Sequence, residues 1–386
     1  MSIYILGGAR TPQGSFLGSL STVSAPKLGA QAIKGALEQA QVKNNQVDEV
    51  VMGNVIQAGV GQAPARQAAL FAGLDQSTPC LTVNKVCGSG LQSVILAAKS
   101  LLAKEAKLVV AGGMENMSLA PHLLPNSRIG AKFGGVEMKD SMQWDGLWDV
   151  YSDRPMGNCA EECTTKYELT RQAQDEFAIN SFKKAQSAQK EGVFKSEISP
   201  VVIKGRKGEV VVEEDEGPGK VKFEKVASLR PAFDKNGTIT AANASTINDG
   251  ACALVLGGEE YKDQAKFKIL GWASHAQDPT WFTTAPVEAV KKNLAKLDLN
   301  INDIDLWEIN EAFAAVTMVA IKELQLDEKK VNIYGGAVSL GHPIGASGAR
   351  ILLTLTNAME RTKAKRGCAA ICIGGGEALS MVIERI

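Results

Sequence analysis

Short apolar runs alternate with longer amphipathic stretches along this chain, which confines it to architectures in which strands and helices pack on one another. The runs at residues 3–6, 49–52, 107–111, 252–256, 268–270, 305–308 and 368–373 have the length of strands. The stretches at 25–40, 90–103, 170–191, 287–297, 312–324 and 345–361 mostly carry apolar residues three and four positions apart, the spacing of one helix face. An α/β fold follows. A chain of 386 residues exceeds the usual size of one hydrophobic core, so two or three lobes are expected. From about 119 to 239 the pattern changes to a charge-rich stretch with a polar run at 205–226, read as an inserted lobe.

One pattern occurs twice. Val83-Asn84, a small-residue turn, a helix and then Val109-Val110-Ala111-Gly112-Gly113-Met114-Glu115 is followed much later by Val331-Asn332, a glycine-rich turn, a helix and Ile371-Cys372-Ile373-Gly374-Gly375-Gly376-Glu377. The later copy carries an extra loop at 340–347. Two related halves would bring both glycine-rich turns to one interface, where α/β folds bind ligands. Short apolar strings also coincide by chance, so pattern alone leaves both readings open.

The chemistry-bearing residues cluster in these turns. Cys87 lies in Asn84-Lys85-Val86-Cys87-Gly88-Ser89-Gly90, just before a helix whose free N–H groups and dipole favour thiolate. A buried, inert thiol is the alternative for any isolated cysteine. His342, one of three histidines, sits in Gly335-Gly336-Ala337-Val338-Ser339-Leu340-Gly341-His342-Pro343-Ile344-Gly345-Ala346-Ser347-Gly348. So many glycines add nothing to a core, yet they let backbone and an imidazole approach a ligand closely. Capping of the next helix is the competing role for His342, and His122 and His275 read as surface residues. Cys372 ends an apolar strand against three glycines whose N–H groups suit a developing oxyanion. Asn310, in Asn310-Glu311-Ala312-Phe313 after the strand at 305–308, supplies an amide able to orient a water.

Other functions find little support. The 42 Lys and Arg balance the 42 Asp and Glu, so no long-range field draws nucleic acid or an anionic membrane. Seven scattered cysteines suggest reduced thiols rather than a secreted disulfide framework. With no basic or apolar leader before Gly7-Gly8, a cytoplasmic location is expected. Gly88-x-Gly90 lacks the third glycine of a dinucleotide fingerprint, and no phosphate loop ends in Gly-Lys-Ser/Thr. Cys159 and Cys163 have zinc-like spacing without a second pair nearby in sequence. No metal or redox cofactor is expected, and the acidic stretch at 210–217 reads as a solvated turn.

Taken together the motifs resemble the thiolases, over essentially the whole chain. The strings that carry the likeness are Gly8-Ala9-Arg10-Thr11-Pro12, residues 84–90, Gly113-Met114-Glu115-Asn116-Met117-Ser118, Leu229-Arg230-Pro231-Ala232-Phe233, residues 243–250, residues 310–313, residues 335–350 and residues 372–376. The resemblance implies a duplicated α-β-α-β-α five-layered fold with an inserted loop domain. Residues 1–118 with 242–266 would form the first thiolase domain, 119–241 the loop domain and 267–386 the second thiolase domain. It implies a tetramer built from dimers. It also implies that Cys87 is acylated, that Cys372 takes a proton from the incoming nucleophile, and that His342 activates Cys87 and binds the thioester oxygen. Asn310 matches the holder of an oxyanion-hole water, and Gly374 the N–H that pairs with that of Cys87 in a second hole. Ser245, Phe233, Met156, Ala312 and Phe313 match positions lining the pantetheine and acyl tunnel, and Lys220 and Lys225 lie where the family meets the nucleotide of CoA.

Asp145-Gly146-Leu147-Trp148-Asp149, Met156-Gly157 and residues 336–340 resemble the short-chain group, whose partners are acetyl-CoA, acetoacetyl-CoA and CoA. A degradative 3-ketoacyl-CoA thiolase of broader chain length and a non-catalytic acyl-CoA-binding protein are the alternatives. Ketoacyl synthases would need His where Asn310 stands, and hydroxymethylglutaryl-CoA synthases Glu where Cys372 stands. The chain departs from the family pattern at Pro155, Tyr334 and Glu377-Ala378.

Overall fold

The computed structural model describes residues 2–205 and 208–386; residues 206 and 207 of the polar run lie outside them. The first half of the chain contributes β1 (Ile3–Arg10), α1 (Ala25–Ala40), β2 (Glu49–Gly53), α2 (Pro64–Ala72), β3 (Cys80–Val83), α3 (Ser89–Leu102) and β4 (Leu108–Asn116). After α4 (Met156–Lys166) and α5 (Arg171–Lys190) the chain returns to the sheet as β5 (Asn248–Gly257). The second half contributes β6 (Phe267–Ala276), α6 (Ala285–Lys296), β7 (Leu306–Ile309), α7 (Ala314–Leu324), α8 (Ile344–Thr362), β8 (Arg366–Ile373) and β9 (Glu377–Arg385).

The strands run in the order β7-β8-β9-β6-β1-β5-β4-β2-β3. The halves meet where Ile3–Ile5 pairs with residues 267–269, a three-residue seam. Each half repeats the other's logic. Strand β2 pairs parallel with β3 and β4, while β7 pairs parallel with β8 and, at Trp307, with Val331. The twofold occurrence of Val-Asn, turn, helix and strand is therefore a structural duplication.

Strand periodicity explains the layers. In β4, Val109 and Ala111 face α3 and α8, while Leu108 and Val110 face α1 and α2. In β8, Ala369, Ile371 and Ile373 join the same central core, and Cys368 and Ala370 pack towards α6 and α7. Both strands are buried on two faces, so they read as unbroken apolar runs. The result is a central helical layer of α3 and α8 between two sheet halves, with α1 and α2 outside one and α6 and α7 outside the other.

Glycines set how closely the central helices approach. A Cβ on Gly90 would lie 2.7 Å from the Ala349 nitrogen, and one on Gly113 only 1.9 Å from the Gly345 oxygen. Backbone therefore packs directly on backbone where α3 and α8 begin. This places Cys87 and His342, each just before one of these helices, at the same end of the layer.

The expectation of a solvated acidic turn at 210–217 is corrected by burial. Glu213 and Glu214 are exposed, but Asp215 is buried and accepts two hydrogen bonds from the Arg10 guanidinium at 2.7 and 2.8 Å. Arg10 also donates to Glu197 at 2.7 Å and lies 5.2 Å from the Phe194 ring. Three charges leave water together, so each satisfies the others. This cluster ties the inserted segment to β1. The helix expected at 312–324 begins only at Ala314, because Phe313 is drawn into a bridge with Ala244. The strand expected at 268–270 runs over Phe267–Ala276 because β9 pairs along it.

Candidate active site

Strand β3 ends in an elbow that presents Cys87. Val86 adopts φ +45°, a left-handed conformation costing a β-branched residue about 1–3 kcal/mol. Side chains hold it there. Val86 N–H donates to Asn84 Oδ1 (3.0 Å), Lys85 N–H donates to Ser89 Oγ (2.8 Å), and the Ser89 hydroxyl donates to the Val86 carbonyl (2.7 Å). Gly88 has no room for a side chain, since a Cβ would lie 2.4 Å from Ile373 Cδ1.

Cys87, His342, Cys372 and Gly374 line one cavity of about 320 Å³, together with Met156, Phe233, Ser245, Ala312 and Phe313. The N–H groups of Gly374 and of Cys87 itself favour the Cys87 thiolate. Burial nevertheless outweighs them and pushes the thiol up to about 11. Burial, and next to it the Cys87 sulfur, also pushes the Cys372 thiol well above its ordinary value. Helix N–H groups were expected to favour thiolate at Cys87. In the assembled cavity desolvation prevails, and both cysteines are thiols at neutral pH.

The His342 ring is held as a neutral base. Its backbone N–H donates to Asn248 Oδ1 at 3.1 Å. Ring Nδ1 lies 2.6 Å from Ser347 Oγ, whose hydroxyl donates to the Pro343 carbonyl at 2.9 Å. That network assigns the proton to Nδ1 and leaves the lone pair on Nε2, which is buried and has no partner among the described residues. Burial, then the charge of Arg350, lowers the imidazole to about 3. Helix α8 starts behind Pro343 without a side-chain cap, so His342 is not serving as one.

Asn310 is fully buried beyond β7 and does not line the cavity. Both atoms of its side-chain amide lack a partner among the described residues, a costly arrangement for a purely structural asparagine. Ser245, Ala312 and Phe313 are brought together by backbone pairing, in which Ser245 N–H donates to the Ala312 carbonyl (2.9 Å) and Ala314 N–H to the Asn243 carbonyl (2.8 Å). Phe233 packs over Gly157, where a Cβ would lie 2.3 Å from the ring. Phe233 and Phe282 each meet Phe313 edge to face, at 6.0 and 6.2 Å, and all three line the cavity.

Residues 3–260 match the family model for the thiolase N-terminal domain, and residues 263–385 that for the thiolase C-terminal domain. The chain belongs to the thiolase family. It is 49% identical over 390 residues to an acetyl-CoA acetyltransferase of Schizosaccharomyces pombe, covering 100% of this chain and 99% of the relative. An acetyl-CoA acetyltransferase of Cupriavidus necator is also 49% identical, over 99% of both chains. The crystal structure of the Bacillus anthracis acetyl-CoA acetyltransferase superposes with a TM-score of 0.97 at 39% identity, over 100% of this chain and 99% of that one. The duplicated fold is thus the thiolase fold.

Lys220 and Lys225 lie outside the thiolase cavity, in an adjoining pocket that shares Ala241 and Thr246 with it. Several functional residues escaped the sequence reading. Ser347, Asn248 and Glu115 all sit inside strings already singled out, but only the folded chain shows what they hold. Glu115 accepts from Asn54 Nδ2 (2.7 Å) and from the N–H groups of Val55 (3.0 Å), Ile56 (3.1 Å) and Gly345 (2.9 Å). It thereby fixes the start of α8 just past His342. Phe282, Met117, Leu147 and Ile344 also line the cavity; Phe282 lies in an irregular stretch with no periodic signal.

Proposed function

We propose that this thiolase is an acetyl-CoA acetyltransferase, condensing two acetyl-CoA to acetoacetyl-CoA and CoA, and cleaving it in reverse, through an S-acetyl-Cys87 intermediate. The observation that carries this reading is one cavity holding two thiols and an imidazole whose Nε2 has no partner among the described residues.

On this reading, events run in the following order. As the Cys87 sulfur attacks the thioester carbonyl, its proton passes to His342 Nε2, and the oxyanion is met by the Cys87 and Gly374 N–H groups. The departing CoA sulfur takes the proton of Cys372, leaving a thiolate opposite an imidazolium. That thiolate is a strong base because burial disfavours its charge. It removes the α-proton of the second acetyl-CoA, while the imidazolium and a water held by Asn310 stabilise the enolate oxygen; each such donor contributes about 3 kcal/mol. The enolate carbon attacks the acetyl group, and the expelled Cys87 sulfur recovers its proton from His342. Every step is acyl or proton transfer, so CoA thioesters serve as substrates and no separate cofactor takes part.

Chain length follows from the side chains that line the cavity. Met156 opens α4 directly behind Pro155, which occupies the position before the helix where its missing N–H costs nothing. The Met156 methyl lies 3.8 Å from where a Gly374 Cβ would be, so it points at the reacting atoms, and Phe233, Phe282 and Phe313 line the same cavity. We expect kcat/KM for acetoacetyl-CoA thiolysis to exceed that for the straight-chain six-carbon substrate at least about tenfold, since each methylene is worth ~1–3 kcal/mol. Comparable values in a steady-state assay would favour the broader degradative thiolase instead.

The adjoining pocket with Lys220 and Lys225 suits the phosphates of CoA. For the assembly, a tetramer of two dimers is supported by two apolar surfaces. One is the open edge at β3 with exposed Leu81 and, nearby in the chain, Leu70 and Phe71. The other is residues 119–141 with exposed Ile129, Phe133 and Met138. Light scattering should give the mass of four chains, and a monomer mass would refute this. Among the described residues no helix is long and apolar enough to cross a membrane. The seven free cysteines support a cytoplasmic setting.

A further inference from the structure

Two turns meet at the nucleophile, and one ion pair joins them. The first is the elbow at 84–88, with Val86 in its left-handed conformation. The second is Gly374-Gly375-Gly376, where Gly375 and Gly376 take φ of +87° and +83°, before β9 starts at Glu377. They touch closely, since a Cβ on Gly374 would lie 3.6 Å from Val86 Cγ1. The Gly374 N–H favours the Cys87 thiolate, and both residues line the same cavity. The elbow is held by its own hydrogen bonds and Gly376 accepts from the Gln277 N–H at 2.9 Å, which leaves Gly374 and Gly375 with the backbone freedom of glycine. Among the described residues, the one side-chain hydrogen bond between them is the ion pair of Lys85 Nζ with a Glu377 carboxylate oxygen. Both side chains are partly exposed, and neither lines the cavity.

We propose that Lys85 and Glu377 form a positioning pair that holds the Gly374 N–H against Cys87, keeping the two-donor hole at its working width. The proposal rests on the acetyltransferase reading for its turnover test, but its geometric core concerns Cys87 alone. A donor displaced by a fraction of an ångström stabilises the oxyanion less while leaving CoA binding unchanged, so the loss falls on kcat. Glu377→Gln and Lys85→Met should each lower kcat for acetoacetyl-CoA thiolysis about tenfold, with KM within about twofold of wild type. The charge-reversed double variant Lys85→Glu/Glu377→Lys should recover most of the loss. Such recovery is beyond what a merely structural role or a variant with damaged folding would give.

A second readout does not depend on the reaction assigned. Alkylation of Cys87 by iodoacetamide, followed by mass spectrometry, should slow roughly threefold in Glu377→Gln, because the developing thiolate loses part of a donor. Unchanged kcat and unchanged alkylation in the single variants would overturn the proposal. So would a double variant whose loss is the product of the two single losses, or a loss confined to KM. If wild type fails to turn over acetoacetyl-CoA, the acetyltransferase reading falls, and the alkylation rates still decide the positioning role.

Discussion

Cys87→Ser should lower turnover by on the order of 10⁴-fold or more, in both condensation and thiolysis, with the fold intact. The substitution preserves shape at a half-buried site, so its effect is chemical. A thiol pushed up to about 11 can still pass its proton to the neutral His342 as sulfur attacks. A serine hydroxyl is a far weaker acid and a poorer nucleophile, and the imidazole, lowered to about 3, is too weak a base to compensate. Steady-state assays beside a thermal melt test this. Activity within about a hundredfold of wild type would place the nucleophile elsewhere.

Cys372→Ser should separate the half-reactions. A CoA thiolate departs without much help, so acetylation of Cys87 should persist at a modestly reduced rate. A thioester α-carbon does not release its proton without a positioned base, so condensation and thiolysis should fall by about 10²–10⁴-fold. Burst formation of acetyl-enzyme followed by stalled turnover is the expected signature. Equal loss of both halves would contradict the assignment of Cys372 as the base for carbon.

The duplicated architecture was legible because its strands are buried on both faces. Leu108-Val109-Val110-Ala111 and Cys368-Ala369-Ala370-Ile371 have no polar alternation to hide them. The cluster of Cys87, His342 and Cys372 was equally legible, because glycine-dense turns around reactive side chains have no use in a core. What sequence could not show is the balance of forces on those side chains. A helix N-terminus argues for thiolate at Cys87, but how much water the cavity admits is a property of Met156, Phe233, Phe282 and Phe313 acting together. Asp215 illustrates the same limit. It lies between acidic and glycine neighbours like any exposed turn residue, and only the position of Arg10, 205 residues away, makes it buried. Helix α4 was missed because its sequence, Met156 to Lys166, mixes small and polar residues with weak periodicity. Strand β3 is only four residues long, with one of them exposed.

The central claim is that acyl transfer runs through the sulfur of Cys87, and acetyl-CoA alone is enough to test it. Incubation of the wild-type protein with acetyl-CoA, rapid acid quench, digestion and peptide mass spectrometry should find one acetyl group on the peptide containing Cys87. The same treatment of Cys87→Ser should leave that peptide unmodified. Acetylation of Cys372 or another residue, with Cys87 unmodified in the wild type, would contradict the account.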